Sequence, residues 1–472
     1  MTEHITRRAP SRRFTSLLAM TAMGVYLLVI VGATTALTDA AAACPTWPAC
    51  EGRWLVPLDD PQLAVAWGHR VAALGVAALL VVTTALGWRG DARPRVRAAL
   101  AGATMLYPVQ VGLGAFAATT GTPALLSAVH LLVGMGIFGG VVLALAWTLE
   151  PETFDEPTGT RDPEEMPDAA DPAPAPSAPD GLLARLKHTG FAYFRLMKPR
   201  LMWLLCLVAS AAMALAAGPD ALDVETVVLT LTGGVLSIGA AGTFNHVLER
   251  DVDRKMSRTA DRPAATDRIP VRNAVAFGLL LVALSLAAFL AVNALAAVLG
   301  LFAILFYSVV YTLLLKPNTV QNTVIGGFAG ALPALIGGAA VTGEIGVPAV
   351  VLAGVIFLWT PAHFYNLALA YKDDYARGGF PMLPVVRGEA VTRKHVLLYL
   401  AATLLAAALL SAVTTLGWLY AGTSVAFGAA FLWAVVRLHR ERTEQAAFRA
   451  FHASNAYLGA LLVAIVVDAL AF

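Results

Sequence analysis

The stretch NHVLERDVDRKMSRTADRP, residues 245–263, carries nine charged side chains in 19 positions. The chain around it is 58% hydrophobic and only 14% charged, with a mean hydropathy of +0.70. Apolar runs of about 18 residues or more recur on both sides of the stretch, and each is long enough to cross a bilayer as a helix. The stretch is therefore a polar loop between membrane helices, and the composition indicates an all-α polytopic membrane protein.

The apolar runs predict about 13 transmembrane helices, four before a long polar segment and nine after it. The first run follows the basic sequence TRRAPSRR, and at about 20 residues it suits a membrane span better than a signal peptide. The first four helices are expected near residues 17–37, 63–88, 98–118 and 124–147, and the other nine are expected to begin near residues 200, 224, 272, 295, 321, 347, 395, 416 and 452.

The polar segment divides the chain into two membrane domains. It is acidic and rich in proline, and it has almost no large apolar side chains, so it cannot bury a core of its own. We expect a four-helix domain over residues 1–149, a disordered linker over residues 150–185 and a nine-helix domain over residues 186–472. The net charge of +2 is close to neutral and argues against a nucleic-acid partner.

Lys and Arg residues collect in alternate loops, on one side of the predicted helices. The basic stretches are TRRAPSRR, WRGDARPRVR, the 245–263 loop, VRGEAVTRKH and RLHRERTEQAAFR, whereas the intervening loops are acidic or neutral. Because short cytoplasmic loops are enriched in Lys and Arg, this pattern predicts a multi-pass protein of the cell membrane with a cytoplasmic N-terminus. The 245–263 loop is then also cytoplasmic.

That loop carries carboxylates as well as basic side chains, and topology alone requires only the basic ones. If the preceding helix continues into the loop, Asn245, Glu249 and Asp253 recur every four residues and line one helix face. Carboxylates at this spacing repel each other, whereas Mg²⁺ binds through one or two carboxylates together with substrate phosphates. This face is therefore a candidate metal site, and the candidate phosphate ligands beside it are Arg254, Lys255, Arg258 and Arg262.

A second acidic pair lies on the same predicted side of the membrane. In YKDDYARGGFPMLPVV, Asp373 and Asp374 follow Lys372. Mixed charge beside a membrane helix usually marks a solvated loop, and either loop alone fits that interpretation. Two acidic loops on one side favour a shared site at which metal ions hold one diphosphate.

Several ordered motifs resemble those of haem O synthase, a protohaem IX farnesyltransferase family within the intramembrane 4-hydroxybenzoate prenyltransferase superfamily. They are NxxxExxxD with the following RT and RP, LKPNTVQNTVIGGFAGALPALIGG, FLWTPAHFYNLALAYKDDY and GGFPMLPVV, and the resemblance runs from MKPR at Met197 to the C-terminus. The family commonly has Asp at the middle acidic position, where this chain has Glu249. Both side chains are carboxylates, so we expect chelation to be kept.

The resemblance implies nine helices around a central cavity, with both acidic loops at its cytoplasmic mouth. It implies that farnesyl diphosphate binds there with Mg²⁺, ionises and alkylates a vinyl group of haem b, after which water adds to give a hydroxyethylfarnesyl chain. The implied metal ligands are Asn245, Glu249, Asp253, Asp373 and Asp374, and the implied diphosphate ligands are Arg258, Arg262 and Lys372.

Other polar and aromatic residues near the motifs have less specific interpretations. His363 lies in TPAHFYN near the end of a predicted membrane helix, where contact with haem is favoured over a hydrogen bond to a neighbouring helix. His246 fits a loop residue as well as a participant in the site. Tyr307, Tyr311 and Phe306 are interpreted as packing residues and are left out of the site.

Two other functions compete with haem farnesylation. One is prenyl transfer to a different acceptor, such as a quinone or lipid precursor, and the extended match around TPAHF and GGFPMLPVV argues against it. The other is a non-enzymatic haem-delivery protein, which does not explain two acidic motifs of the diphosphate type.

The first loop on the outer side contains CPTWPAC, with Cys44 and Cys50 at its ends. A disulfide and two unpaired thiols are both compatible with the sequence, and the oxidising side of the membrane favours the disulfide. Cys206 lies within a predicted helix and is interpreted as an inert buried thiol.

His69, in AWGHRVAAL, and His130, in SAVHLLVGM, each lie about six residues from the outer end of a predicted helix, or about 9 Å below the surface. Two imidazoles at one depth in a bundle suit axial ligation of haem iron. Residues 14–147 resemble one of the two four-helix bundles of haem A synthase, although the Glu of that family three residues before the first His is Ala66 here. We therefore expect this domain to bind haem without oxidising it, with haem A synthase or assembly proteins of a terminal oxidase as partners.

Overall fold

The structure of the protein is a computed structural model. It describes residues 12–35, 43–57, 59–90, 92–121, 123–150, 181–218 and 222–471. Most of the expected linker, residues 151–180, lies outside the described residues.

The described residues contain 13 helices that are long and apolar enough to cross a membrane, and they form no β-strand. This confirms the predicted all-α polytopic fold and the predicted number of spans. The helices, with four shorter ones, are α1 Arg12–Thr35, α2 Pro61–Arg89, α3 Pro94–Thr120, α4 Ala124–Leu149, α5 Leu182–Leu196, α6 Pro199–Ala217, α7 Val224–Leu248, α8 Arg250–Asp253, α9 Val271–Val292, α10 Ala294–Leu305, α11 Asn322–Thr342, α12 Val347–Ala370, α13 Lys372–Arg377, α14 Leu383–Val386, α15 Glu389–Ala412, α16 Trp418–Glu441 and α17 Glu444–Ala471. A π-helix, Phe306–Leu315, continues α10 directly.

Capping side chains explain where several helices begin. Asp60 Oδ1 accepts a hydrogen bond of 2.9 Å from the Gln62 amide at the start of α2, and Asp223 Oδ2 accepts one of 2.9 Å from the Thr226 amide at the start of α7. Proline occupies the first turn of α2, α3, α6 and α12, where its missing N–H would have had no partner.

The chain packs as two compact units, Met1–Phe154 with Val396–Arg442, and Asp155–His395 with Thr443–Phe472. In the first unit, α1 is joined to two later helices by buried hydroxyl pairs. Tyr26 Oη lies 2.6 Å from Ser424 Oγ of α16, and Thr34 Oγ1 lies 2.8 Å from Ser411 Oγ of α15. Packing therefore groups α16 and most of α15 with α1–α4, although both helices follow the linker in sequence.

Small residues let the helices of the second unit approach closely. Gly337 of α11 faces the backbone oxygen of Ala209 in α6, where any side chain would collide with that oxygen. Gly233 of α7 lies in the same way against the ring of Phe289 in α9. Membrane helices commonly use small residues for such contacts. Between α6, α7, α10 and α11 this packing leaves a cavity.

Candidate functional site

The cavity of the second unit has a mostly apolar wall and about 740 Å³ of empty space, part of it open to the surroundings. Lys198 and Tyr307 also line it. Because Lys198 directly precedes α6, the cationic group lies at one end of the cavity. Its larger apolar lining residues are Leu201, Leu205, Leu231, Ile238, Pro333 and Ile336.

Lys198 links the cavity to the first acidic motif. Its Nζ atom donates to Asn245 Oδ1 at the end of α7, and to Tyr307 Oη at 3.1 Å. Asn245 Nδ2 in turn donates to Thr312 Oγ1 at 3.0 Å. The Asn245 side chain is thereby fixed by a donor on one side and an acceptor on the other, and the motif is joined to the π-helix.

Two basic side chains hold the carboxylates of the motif. Lys316 Nζ donates to Glu249 Oε1 at 2.5 Å. Arg262 Nη1 donates to both oxygens of Asp253, at 2.9 and 2.8 Å, and lies 3.9 Å from Glu249 Oε2. We call Lys198, Asn245, Glu249, Asp253, Arg262, Tyr307, Thr312 and Lys316 the motif cluster. Its carboxylates are buried and each is matched by a cation.

Burial and neighbouring charges set the protonation of this cluster. Burial lowers the pKa of Lys198 to about 7, with Arg262 adding to this effect and Glu249 opposing it. Burial by itself acts to raise the pKa of Glu249, but Lys316 and Lys198 outweigh it and the pKa is lowered. Burial raises the pKa of Asp253 although Arg262 opposes it. Glu249 is therefore the carboxylate that keeps its charge most firmly.

The helix that carries the motif does not continue through it, contrary to the sequence-based expectation. α7 ends at Leu248, Glu249 caps it with φ −93° and ψ 3°, and the four-residue helix α8 follows. The three motif side chains are nevertheless all buried and share the cations described above. Ion pairs across the fold, rather than one continuous helix face, bring them together.

The second acidic loop packs against the first through Asp374. Its Oδ1 accepts from Ser257 N at 3.1 Å and from Ser257 Oγ at 2.7 Å, and its Oδ2 accepts from the Arg258 amide at 3.1 Å. Arg377 also pairs with it. Burial acts to raise the pKa of Asp374, but these donors outweigh it and the pKa is lowered. The structure thus joins the two loops that the sequence predicts to share a site.

Arg258 lies between two aromatic rings of the second loop. Its guanidinium carbon is 5.3 Å from the ring centroid of Tyr371 and 5.6 Å from that of Tyr375, whose hydroxyl accepts from Nη2 at 3.4 Å. Cation–π contacts of this kind fix a guanidinium without neutralising it. These contacts hold the Arg258 side chain against the second acidic loop.

Other sequence-predicted residues lie outside these contacts. Lys372 donates to Glu389 Oε1 at 3.3 Å, and Asp373 is exposed. His363 is stacked between Trp359 and Phe451, each with its ring centroid 4.3 Å away, and its Nδ1 lies 2.7 Å from Ser454 Oγ. The hydrogen bond of His363 to a neighbouring helix is the alternative that the sequence left open.

The carboxylate and amide oxygens of the cluster are suitable ligands for Mg²⁺. Both carboxylates, however, already form ion pairs with Lys316 or Arg262. In the described part of the chain, no group of three or more His, Cys, Asp or Glu side chains is arranged to hold a metal ion. Mg²⁺ commonly needs only one or two protein carboxylates when substrate phosphates supply the other ligands. With two buried carboxylates and the Asn245 amide oxygen in one cluster, the residues fit the ion when substrate phosphates supply its other ligands.

Four members of the cluster, Lys198, Tyr307, Thr312 and Lys316, are not indicated by the sequence as site residues. Lys198 and Lys316 are isolated lysines that each precede a proline, in MKPR and LLLKPN, and such lysines beside apolar runs also fit a purely topogenic role. The sequence favours a packing role for Tyr307. The available signal was the position of both lysines at helix ends on the side of the acidic motifs.

In the first unit, Cys44 and Cys50 are joined by a disulfide. Arg70 of α2 holds this loop: its Nη1 donates to Thr46 O at 2.8 Å and its Nη2 donates to Cys44 O at 2.8 Å. The preceding residue, His69, lies with its ring against Gly32 of α1. One turn of α2 therefore anchors the loop and carries the candidate haem ligand.

His69 and His130 each have a buried Nδ1 atom with no hydrogen-bond partner among the residues that the structure describes. His130 lies against Gly114 of α3, whose missing side chain leaves room for the ring. Buried unpaired ring nitrogens are costly, so a bound group that uses these side chains would account for them.

The fold and the motif cluster define a helical membrane protein with a site for a ligand that is anionic at one end and apolar along its length. A model of the UbiA prenyltransferase family matches residues 203–459, and a model described as cytochrome oxidase assembly protein matches residues 15–66. The chain belongs to the UbiA prenyltransferase family, and it is a multi-pass membrane enzyme.

Named relatives are similar along much or all of the chain. A protoheme IX farnesyltransferase of Haloarcula marismortui is 65% identical over 469 residues, which cover 98% of this chain and 100% of that protein. Protoheme IX farnesyltransferase 1 of Saccharopolyspora erythraea is 46% identical over 301 residues, covering 63% of this chain and 93% of its own length. A solved structure of digeranylgeranylglyceryl phosphate synthase has a TM-score of 0.51 at 18% identity, covering 60% of this chain and 100% of that chain, and supports the fold alone.

Proposed function

We propose that this enzyme transfers the farnesyl group of farnesyl diphosphate to a vinyl group of haem b, giving haem O for the cofactors of haem-copper oxidases. The observation that carries the proposal is the position of Lys198 and Tyr307, which both line the apolar cavity and belong to the charged motif cluster. A prenyl diphosphate has the same division into an apolar chain and an anionic end. The close similarity to named protoheme IX farnesyltransferases supports haem b as the acceptor.

The basic members of the cluster act on the leaving group. Lys198, Lys316 and Arg262 would transfer their hydrogen bonds from Asn245, Glu249 and Asp253 to the diphosphate oxygens. The bond between C1 of the farnesyl chain and oxygen then breaks, and the diphosphate leaves with the electron pair. Preorganised cations at the point where negative charge develops are usually the largest contribution to such a step.

The vinyl group of haem b supplies the electrons for the new carbon–carbon bond. Its terminal carbon attacks C1 of the allylic cation, water adds to the inner carbon, and one proton is released. The apolar wall formed by residues such as Leu205, Ile238 and Ile336 keeps water from the cation before the vinyl group reaches it. His363 is proposed as a haem contact through its second ring nitrogen, because Ser454 engages Nδ1.

Mg²⁺ is proposed as the cofactor, since the site offers oxygen ligands and the substrate is a diphosphate. When bound, it would neutralise part of the diphosphate charge. The proposed ligands are Asn245, Glu249, Asp253, Asp373 and Asp374, and Arg258 and Lys372 remain proposed diphosphate contacts beside Arg262.

For the first unit we propose an accessory haem site ligated by His69 and His130, supported by their unpaired buried nitrogens. When bound, haem would supply a redox-active iron. The proposed location of the protein is the cell membrane, with the N-terminus and the acidic motifs on the cytoplasmic side. Haem A synthase or assembly proteins of a terminal oxidase are proposed to receive the product.

The function is tested with purified full-length protein in lipid nanodiscs, supplied with haem b, farnesyl diphosphate and Mg²⁺, and the haems are then analysed by mass. We expect a product heavier than haem b by one farnesyl group and one hydroxyl group. Lys316→Met should lose it, whereas Lys187→Met, which changes an exposed lysine of α5, should retain it. Prenylation of an added quinone precursor but not of haem b, or haem binding without any prenyl transfer, would replace the proposal by the corresponding alternative.

A further inference from the structure

The segment Phe306–Leu315, which follows α10, has a π-helical rather than an α-helical register. The Lys316 amide donates to Tyr311 O at 2.9 Å, and Thr312 Oγ1 donates to Tyr307 O at 2.8 Å, each reaching back five residues. π-Helical segments are rare, are mostly single turns and are frequent at functional sites. A stretch of ten residues therefore calls for an explanation.

Three side chains on this segment and at its end each contact a different member of the motif cluster. Tyr307 Oη accepts from Lys198 at 3.1 Å, and Thr312 Oγ1 accepts from Asn245 at 3.0 Å. Lys316 donates to Glu249 at 2.5 Å. The contacting residues are separated by five and then four positions, and all three reach the same side of the helix.

An α-helix would not direct these three side chains to one side. At 100° per residue, Thr312 would point about 140° away from Tyr307, and Lys316 would point about 180° away. A helix closed by hydrogen bonds that reach back five residues takes more residues for each turn, so residues five and four apart come nearly into line.

The exposed face of the segment follows the same register. Leu305, Val309 and Leu314 are exposed, whereas Ser308 and Thr312 are 6% and 5% exposed. In an α-helix, Thr312 would lie about 20° from Leu305 and face lipid, and Leu314 would point about 180° away from Leu305. Side-chain burial and hydrogen bonding thus indicate one register.

We propose that the π-helical register of Phe306–Leu315 positions Lys316, and with it Thr312 and Tyr307, for binding the anionic end of the substrate. The inference rests on the proposed function for the identity of that anion. Lys316 contacts the ligand. Thr312 acts through Asn245, and Tyr307 acts through Lys198. The ten-residue segment thus positions the Lys316 ammonium group. In an α-helix of the same sequence, Lys316 would point away from the motif cluster.

The register is tested without reference to activity. In full-length protein with Cys206→Ala, single cysteines at positions 305, 308, 309, 312, 313 and 314 carry a nitroxide label, and the collision rate with oxygen in nanodiscs is measured by spin resonance. We expect high rates at 305, 309, 313 and 314 and low rates at 308 and 312. A high rate at 312 with a low rate at 314 is the α-helical pattern and would overturn the proposal.

The link to function is tested by two deletions of equal size. Removing Val309 and Leu313 leaves the three contact residues four and three apart, which brings them within about 60° of one another on an α-helix. We expect this variant to retain kcat/KM for farnesyl diphosphate within about tenfold. Removing Leu301 and Phe302 from α10 instead rotates all that follows by about 200° and should abolish activity.

Loss of activity in a folded variant lacking Val309 and Leu313 would refute the positioning role. If the wild-type protein prenylates no acceptor, the proposed function fails, but the oxygen-collision pattern still shows whether the segment is π-helical. If neither deletion variant folds, the same pattern again decides the register of the segment.

Discussion

Lys316 Nζ lies 2.5 Å from Glu249 Oε1, and this largely buried pair joins the end of the π-helix to the cap of α7 across 67 residues of chain. A buried ion pair must offset the desolvation of both charges, so it is weak evidence for a gain in stability. Its position in the motif cluster, two of whose members, Lys198 and Tyr307, line the apolar cavity, offers a better reason for its presence. Under the proposed function, the carboxylate would hold the cation in place until an anionic substrate displaces it.

This relationship separates activity from stability in a pair of variants. Lys316→Met removes a cation at the leaving group, and we expect kcat/KM for farnesyl diphosphate to fall by about 10²–10³, the usual cost of losing one preorganised donor. It also leaves Glu249 without its nearest partner, so the unfolding temperature should fall. Adding Glu249→Gln should restore the unfolding temperature but not the activity. Recovery of activity in the double variant would contradict the assignment of Lys316 to the leaving group.

Asp253→Asn should inactivate the enzyme and also destabilise it. Asp253 is buried and receives two hydrogen bonds from Arg262, and removing one partner of such a pair typically costs about 3–5 kcal/mol. The sequence alone places Asp253 at the open cytoplasmic mouth of the cavity, where its substitution would leave folding intact. Thermal unfolding decides between the two, with Asp251→Asn as the matched control. Asp251 is an exposed carboxylate on the same short helix, so its loss should leave the unfolding temperature unchanged.

The sequence was sufficient for the spans and for the acidic motifs, but not for the pairing of the motifs with cations. Hydropathy places the helices because each span must satisfy its own backbone in lipid. Lys198 meets Asn245 across 47 residues, and Lys316 meets Glu249 across 67, so both contacts depend on how helices pack. The π-helical register that directs Lys316 inward has no counterpart in a hydropathy pattern.

The stability of α7 should depend on pH through its first residues. Hydrogen bonds from backbone amides, led by that of Thr226, lower the pKa of Asp223 below its usual 3.8. Because the folded-state pKa is the lower one, the cap stabilises the fold above pH 3.8, and this contribution is lost as the pH falls through the lowered value. We expect Asp223→Ala to lower the unfolding temperature at pH 7, and the difference from wild type to disappear at the most acidic pH. A constant difference at every pH would show that the charged cap is not its source.

The first unit should bind haem through His69 and His130. Within the described residues their buried Nδ1 atoms have no hydrogen-bond partner, and the glycines beside them, Gly32 and Gly114, leave space at each ring. Full-length protein loaded with haem b is expected to give the optical spectrum of a low-spin bis-histidine centre. His69→Ala and His130→Ala should each lose that spectrum, whereas His188→Ala, which removes a histidine from the second unit, should keep it.

A subtler variant tests the same site with both histidines present. In Gly114→Ala, the new Cβ atom would lie 3.1 Å from His130 Cε1, so the ring must shift and the low-spin signal should weaken or broaden. Arg70→Met releases the disulfide loop from α2 without touching either imidazole, so it should loosen haem binding less than the histidine variants do. If wild-type protein yields no bis-histidine spectrum, or if both histidine variants retain it, the two imidazoles serve packing alone. Conversion of haem O to haem A by the full chain would contradict the expectation, drawn from Ala66, that this unit holds haem without oxidising it.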